Sequence, residues 1–129
     1  MEIRRAFSGA KWEEQVGYCR AVRVGHLVFV TGTAPVAEDG SVVAAGDPYA
    51  QARRCLAVIK KALSDVDAEM SHIVRTRMFV TDIGQWEAFG RAHREVFSDA
   101  PPATTMVEVA SLIDPAMLIE IEADAVCPA

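Results

Sequence analysis

Polar and apolar positions alternate most cleanly near the end of the chain. In the segment PPATTMVEV (101–109), Thr104, Met106 and Glu108 share one face of an extended backbone, and Thr105, Val107 and Val109 share the other. Ten residues later, IEIEADA (119–125) sets Glu120, Glu122 and Asp124 opposite Ile119, Ile121, Ala123 and Ala125. Both segments read as strands. Three carboxylates on one strand face repel one another unless they meet water, a cation or a partner surface.

The earlier chain alternates strand and helix signals. Residues 2–7 predict a short opening strand. Residues 21–24 and 27–31 flank Gly25-His26, a tight-turn signal between β-rich runs. Glu38-Asp39-Gly40 predicts another turn, with 41–43 as a short strand after it. A helix follows. Asp47 suits the N-cap, Pro48 the first helical position, and Tyr49, Ala52, Leu56, Ile59 and Leu63 recur at spacings of three and four. Residues 73–81 predict a strand with Val74, Met78 and Val80 on one face and Arg75, Arg77 and Phe79 on the other. A second helix spans about 85–97, with Trp86, Phe89, His93 and Val96 at helical spacing, and the run from Ser98 to Pro102 ends it.

These elements predict an α+β domain: one mixed sheet with two helices on one face, formed by residues 1–129 as a single unit. The sheet's other face carries Arg75, Arg77, Glu120, Glu122 and Asp124 beside Phe79. A mixed face of that kind predicts packing against copies of the chain, with ions paired across the joint.

Composition narrows the chemistry. Apolar residues make up 51% and charged residues 24%, an ordinary globular balance. No apolar run approaches the roughly 18 residues that span a bilayer. Arg4, Arg5 and Lys11 have no apolar stretch behind them, so no secretory signal is read and a cytoplasmic protein is expected. The net charge of −5, with basic residues scattered in pairs, argues against nucleic acid as a partner. Cys19, Cys55 and Cys127 are odd in number and lack C-x-x-C spacing, and His26, His72 and His93 are scattered. Reduced thiols, no metal site and no cofactor are expected.

Together these segments resemble the reactive intermediate deaminase (Rid) superfamily, also called YjgF-like or endoribonuclease L-PSP. GYCRAVRVG at 17–25 resembles the family's tyrosine-bearing first strand, and VFVTGTAP at 28–35 its glycine loop. VRTRMFVTDI at 74–83 is similar to its central strand, and PPATTMVEV with IEIEADA to its closing pair. The resemblance covers about 16–126 and implies a chorismate-mutase-like fold, a homotrimer, and small-molecule pockets in the clefts between subunits. It implies that Tyr18, Thr31, Gly32 and Thr33 line the pocket, that Glu120 orients a water, and that a neighbouring subunit lends Trp86. Two positions depart from the pattern. Gly90 stands where the deaminases carry asparagine, and Thr104 where they carry the arginine that grips the substrate carboxylate. A threonine cannot replace that bidentate fork, whose hydrogen bonds are worth about 1.5–3 kcal/mol each. Met106 makes the same wall softer and more apolar.

Each residue also has a structural reading. Tyr18 suits a packed aromatic, Glu120 an interface carboxylate, Trp86 a core residue, and Thr104 and Thr105 plain β-formers. Thr31–Gly32–Thr33 suits a turn. Arg20, two residues after Tyr18 and so expected on its face, is either a substitute cation in the cleft or a solvated or interface-paired arginine. Three functions remain. One is an enzyme that adds water to, or deaminates, an enamine- or imine-like metabolite other than an imino acid. The second is a non-catalytic metabolite-binding trimer. The third is the endoribonuclease or translation inhibitor of older family labels, for which no paired histidines, metal cluster or basic groove is visible.

Overall fold

Burying the alternating faces of its strands organises the chain, of which the computed structural model describes residues 1–128. The elements run β1 (Ile3–Ala6), α1 (Lys11–Val16), β2 (Ala21–Val24), β3 (Leu27–Thr33), α2 (Pro48–Asp65), β4 (Ile73–Val80), α3 (Trp86–Phe97), β5 (Ala103–Glu108) and β6 (Ile119–Val126). One sheet takes the order β1-β2-β3-β6-β4-β5. Only β4 and β5 pair in parallel, which the α3 crossover between them permits.

The α+β arrangement expected from the pattern is present. Leu56, Ile59 and Leu63 of α2 and Phe89 and Ala92 of α3 pack with Val28, Met78, Ile119 and Ile121 of the sheet in one core. Asp47 caps α2 by accepting a hydrogen bond from the Ala50 N–H at 3.0 Å. Alternation leaves Phe29 and Val107 exposed on the opposite face, where Arg77 pairs with Glu122 at 3.0 Å and Asp124 at 3.4 Å. Among the described residues no helix is long and apolar enough to cross a membrane.

Three local expectations change. Residues 41–43 form no strand, because Val42 makes a single bridge to Val36. A bulge between Ile73 and Arg75 shifts the register with β6, so Ile73 enters the core and Val74 stays 49% exposed. Helix α1 was not anticipated; it spans six residues and its buried residue is the charged Glu13, so it carries no apolar stripe.

Gln51 joins the core to the loops that lead to the site. Its buried amide donates to the carbonyls of Val43 at 3.1 Å and Ala116 at 2.9 Å, and its Oε1 accepts from the Leu118 N–H at 2.7 Å. Gln51→Leu strands all three backbone groups. The expected loss is about 3 kcal/mol, read as a lower denaturant midpoint with an unchanged slope; a loss under about 0.5 kcal/mol would show that these loops are held otherwise.

Candidate functional site

A buried ion pair underlies the site. Gly17 ends α1 in the left-handed region, at φ 89°, and turns the chain back so that Arg20 meets Glu13. Arg20 is 6% exposed and Glu13 5%. The Nε and Nη2 atoms of Arg20 both reach Glu13 Oε2 at 3.1 Å. Ser8 closes the far side, its N–H donating to Glu13 Oε1 at 3.0 Å and its hydroxyl to Oε2. The remaining nitrogen, Nη1, donates to the Gly32 carbonyl at 2.8 Å and lies 3.4 Å from Thr33 Oγ1.

Those contacts seat a bulge in β3. The ladder with β6 pairs Val30 with Ala123 and then Thr33 with Ile121, so β3 holds one extra residue at Thr31–Gly32. Thr31 donates its hydroxyl to the Cys19 carbonyl at 2.7 Å, and Thr33 donates its own to the Thr31 carbonyl at 2.7 Å. Both hydroxyls therefore build the bulge. The expectation that they face a ligand is corrected to that extent, although Gly32 and the buried Thr33 do line the cleft described below.

Glu120 occupies the space the bulge opens. Glu122 and Asp124 share Arg77, whereas Glu120 lies opposite Phe79 in the ladder. Among the described residues no ion pair or hydrogen bond engages its carboxylate, which sits over Gly32. A Cβ at Gly32 would collide with Oε2 and lie 3.0 Å from Cδ. Burial pushes the Glu120 carboxyl above its ordinary value, Arg20 opposes the rise, and Glu122 adds to it.

Tyr18, Arg20, Gly32, Thr33 and Glu120 border one cleft of about 760 Å³, closed by Trp12 of α1 and by Met117. Tyr18 precedes β2 instead of lying on it, because Gly17 has already turned the chain, yet its ring stays 5.5 Å from the Arg20 guanidinium. Arg20 lines the cleft with all three nitrogens engaged by protein, so it is a structural cation and not a free replacement for the missing arginine. Glu13 escaped the sequence reading; only its i+7 spacing to Arg20 across a glycine hinted at it.

The other candidates stand apart. Thr104 and Met106 pair with Thr76 and Met78, which puts them on the helix-covered face, away from Glu120. Thr76 Oγ1 donates to Thr104 Oγ1 at 2.7 Å and lies 2.8 Å from Nε2 of His93, whose ring packs at a tilt against Phe97 with centroids 4.5 Å apart. Burial lowers the His93 pKa, favouring the neutral ring. Trp86, on the first turn of α3, is 56% exposed and so is not the core residue its spacing allowed. Within one chain these three residues do not reach the cleft.

The contact between Gly32 and Glu120 yields a coupling test. Gly32→Ala should cost about 1 kcal/mol, the low end for an added methyl, because the carboxylate at the flexible end of Glu120 must move aside. In a Glu120→Ala background it should cost almost nothing, as denaturation of the four proteins in the cycle would show. Equal costs in both backgrounds would mean that Glu120 does not rest on Gly32.

With the geometry established, known proteins place the chain. The family model described as endoribonuclease L-PSP matches residues 10–127. The crystal structure of Rv2704 from Mycobacterium tuberculosis, a member of the YjgF/YER057c/UK114 family, superposes with a TM-score of 0.88 at 42% identity, covering 97% of this chain and 99% of that one. The uncharacterized protein SCO2049 of Streptomyces coelicolor is 34% identical over 123 residues, 95% of this chain and 91% of the relative. The 3-aminoacrylate deaminase RutC of Acinetobacter baylyi is 33% identical over 104 residues, 81% of this chain and 82% of the relative. The chain therefore belongs to the endoribonuclease L-PSP family, the YjgF-like proteins of the Rid superfamily.

Proposed function

We propose that the cleft adds water to the C–N double bond of a small reactive metabolite, with Glu120 as the residue that holds and deprotonates the water. The observation that carries this reading is a half-buried carboxyl with no protein partner, raised above its ordinary pKa beside the committed Arg20. Such a group suits holding a water and exchanging a proton with it. Glu120 takes a proton as the water oxygen bonds to carbon, and the C=N electrons move to nitrogen. That proton passes to nitrogen to give a carbinolamine; Glu120 then takes the hydroxyl proton and returns it to the nitrogen as the C–N bond breaks, so that a carbonyl compound and ammonia leave. The likeness to a 3-aminoacrylate deaminase supports a deaminase-type role.

Thr104 is neutral and already bonded to Thr76, so it offers no grip for the carboxylate of an amino-acid imine. Hydrolysis of imines made by an amino-acid oxidase should barely exceed the buffer rate, while neutral imines made by an amine oxidase should be hydrolysed faster. Glu120→Gln should cut that rate at least about 100-fold. The wild-type rate should rise with pH through a midpoint above 4.5, because the ionised form acts and its pKa is raised. An unchanged rate in Glu120→Gln would show that Glu120 does not hold the water, and a wild-type rate no faster than buffer on every imine would leave a non-catalytic, metabolite-binding protein as the better reading.

The working unit proposed here is a homotrimer. Support comes from the uncovered sheet face with its exposed Phe29 and Val107, and from Trp86, exposed and remote from its own chain's cleft. A neighbour's Trp86 and β5 edge would complete each cleft. Light scattering should give about three times the 14.0 kDa chain mass; a monomer at micromolar concentration would remove the shared site.

A further inference from the structure

One wall of the cleft has no part in holding the water. Helix α2 turns Arg54, Ala57, Val58 and Lys61 toward the cleft, at helical spacing. Arg54 is tethered at its root, where Nε donates to the Val36 carbonyl at 2.7 Å. Its two Nη atoms have no hydrogen-bond or ion-pair partner among the described residues. The other cations of the cleft have partners: Arg20 is buried against Glu13, Lys61 makes a surface pair with Asp65 at 2.8 Å, and Lys11 lies over the Trp12 ring at 4.5 Å. The acids are placed just as clearly. Asp39 accepts from Ser41, Asp65 from Lys61, and neither Glu38 nor Glu120 pairs with Arg54.

We propose that Arg54 is a carboxylate-recognition residue, and that the cleft takes an elongated amphipathic monoanion. Its carboxylate sits on the two Nη atoms, its body on the apolar lining that Val58 and Met117 supply, and its reactive C–N group at Glu120. The C–N end rests on the reading given above; the anion anchor stands on Arg54 alone. Two Nη atoms of one planar guanidinium match the two oxygens of a carboxylate. A phosphate dianion suits the wall less, because Glu38 and Asp39 also line it. Arg54 is tethered at Val36, four residues along the chain from Gly32, over which the Glu120 carboxylate sits, so the anchor and the reacting end occupy different parts of the cleft. The ligand therefore differs from an imino acid, whose carboxylate adjoins the reacting carbon.

Hexanoate and its neutral isostere hexanamide serve as probes, with binding followed by backbone amide shifts. Wild-type protein should bind hexanoate at least tenfold more tightly. Arg54→Gln should erase that preference and Arg54→Lys keep only part of it. Arg53→Gln, which alters a side chain paired with Glu95 outside the cleft, should retain it in full. The amide spectrum reports whether each variant is folded. Glu120→Gln should keep the preference while losing imine hydrolysis, so the anchor and the water-holding role fail separately. Equal affinity for the two probes, a preference that survives Arg54→Gln, or inorganic phosphate outcompeting hexanoate would each overturn the proposal.

Discussion

Glu13 and Arg20 neutralise each other beneath the cleft, and the local architecture is built on that neutralisation. Removing either partner would leave a buried charge, at a cost of about 3–5 kcal/mol. The pair binds α1 to the start of β2. Through Nη1, Arg20 then reaches the Gly32 carbonyl and holds the β3 bulge open. Ser8 completes the carboxylate's shell, so the loop from β1 into α1 is tied to the same point. An ion pair of this kind adds little net stability, but it specifies where the backbone goes.

The constraint has an electrostatic consequence. With Arg20 committed to Glu13, that cation opposes the rise in the Glu120 pKa without pairing with its carboxylate. The strand register assigns Arg77 to Glu122 and Asp124 and leaves Phe79 opposite Glu120. Of three carboxylates on one strand face, two are paired and the third, Glu120, is half-buried without a partner among the described residues. The arrangement separates carboxylates by role using only the pleat and one bulge.

Much of this was legible in the sequence wherever a period governs the structure. The alternation in β6 put Glu120 on the face away from the core, and the spacing in α2 marked the buried stripe. Where an inserted residue or a buried charge governs, the pattern misled. The bulge at Val74 breaks strict alternation, so Val74 was expected on the core face, and the bulge at Thr31–Gly32 turns to the backbone the threonine hydroxyls that the resemblance set in the pocket. Helix α1 buries a glutamate and so carries no apolar stripe to read. Thr104 was correctly set opposite Thr105, but the fact that α3 covers its face follows only from the parallel crossover. The link from His93 through Thr76 to Thr104 depends on that same register.

The central claim is that Arg20 serves Glu13 and leaves the Glu120 carboxyl unpaired and hard to ionise. Carbon-detected NMR of the Glu120 side-chain carboxyl, followed through a pH titration of the native protein, tests it most directly. The account predicts a midpoint above the ordinary 4.5. A midpoint at or below 4.5 would show that Arg20 pairs with Glu120 instead, and the cleft would then hold a structural ion pair in place of a reactive carboxylate.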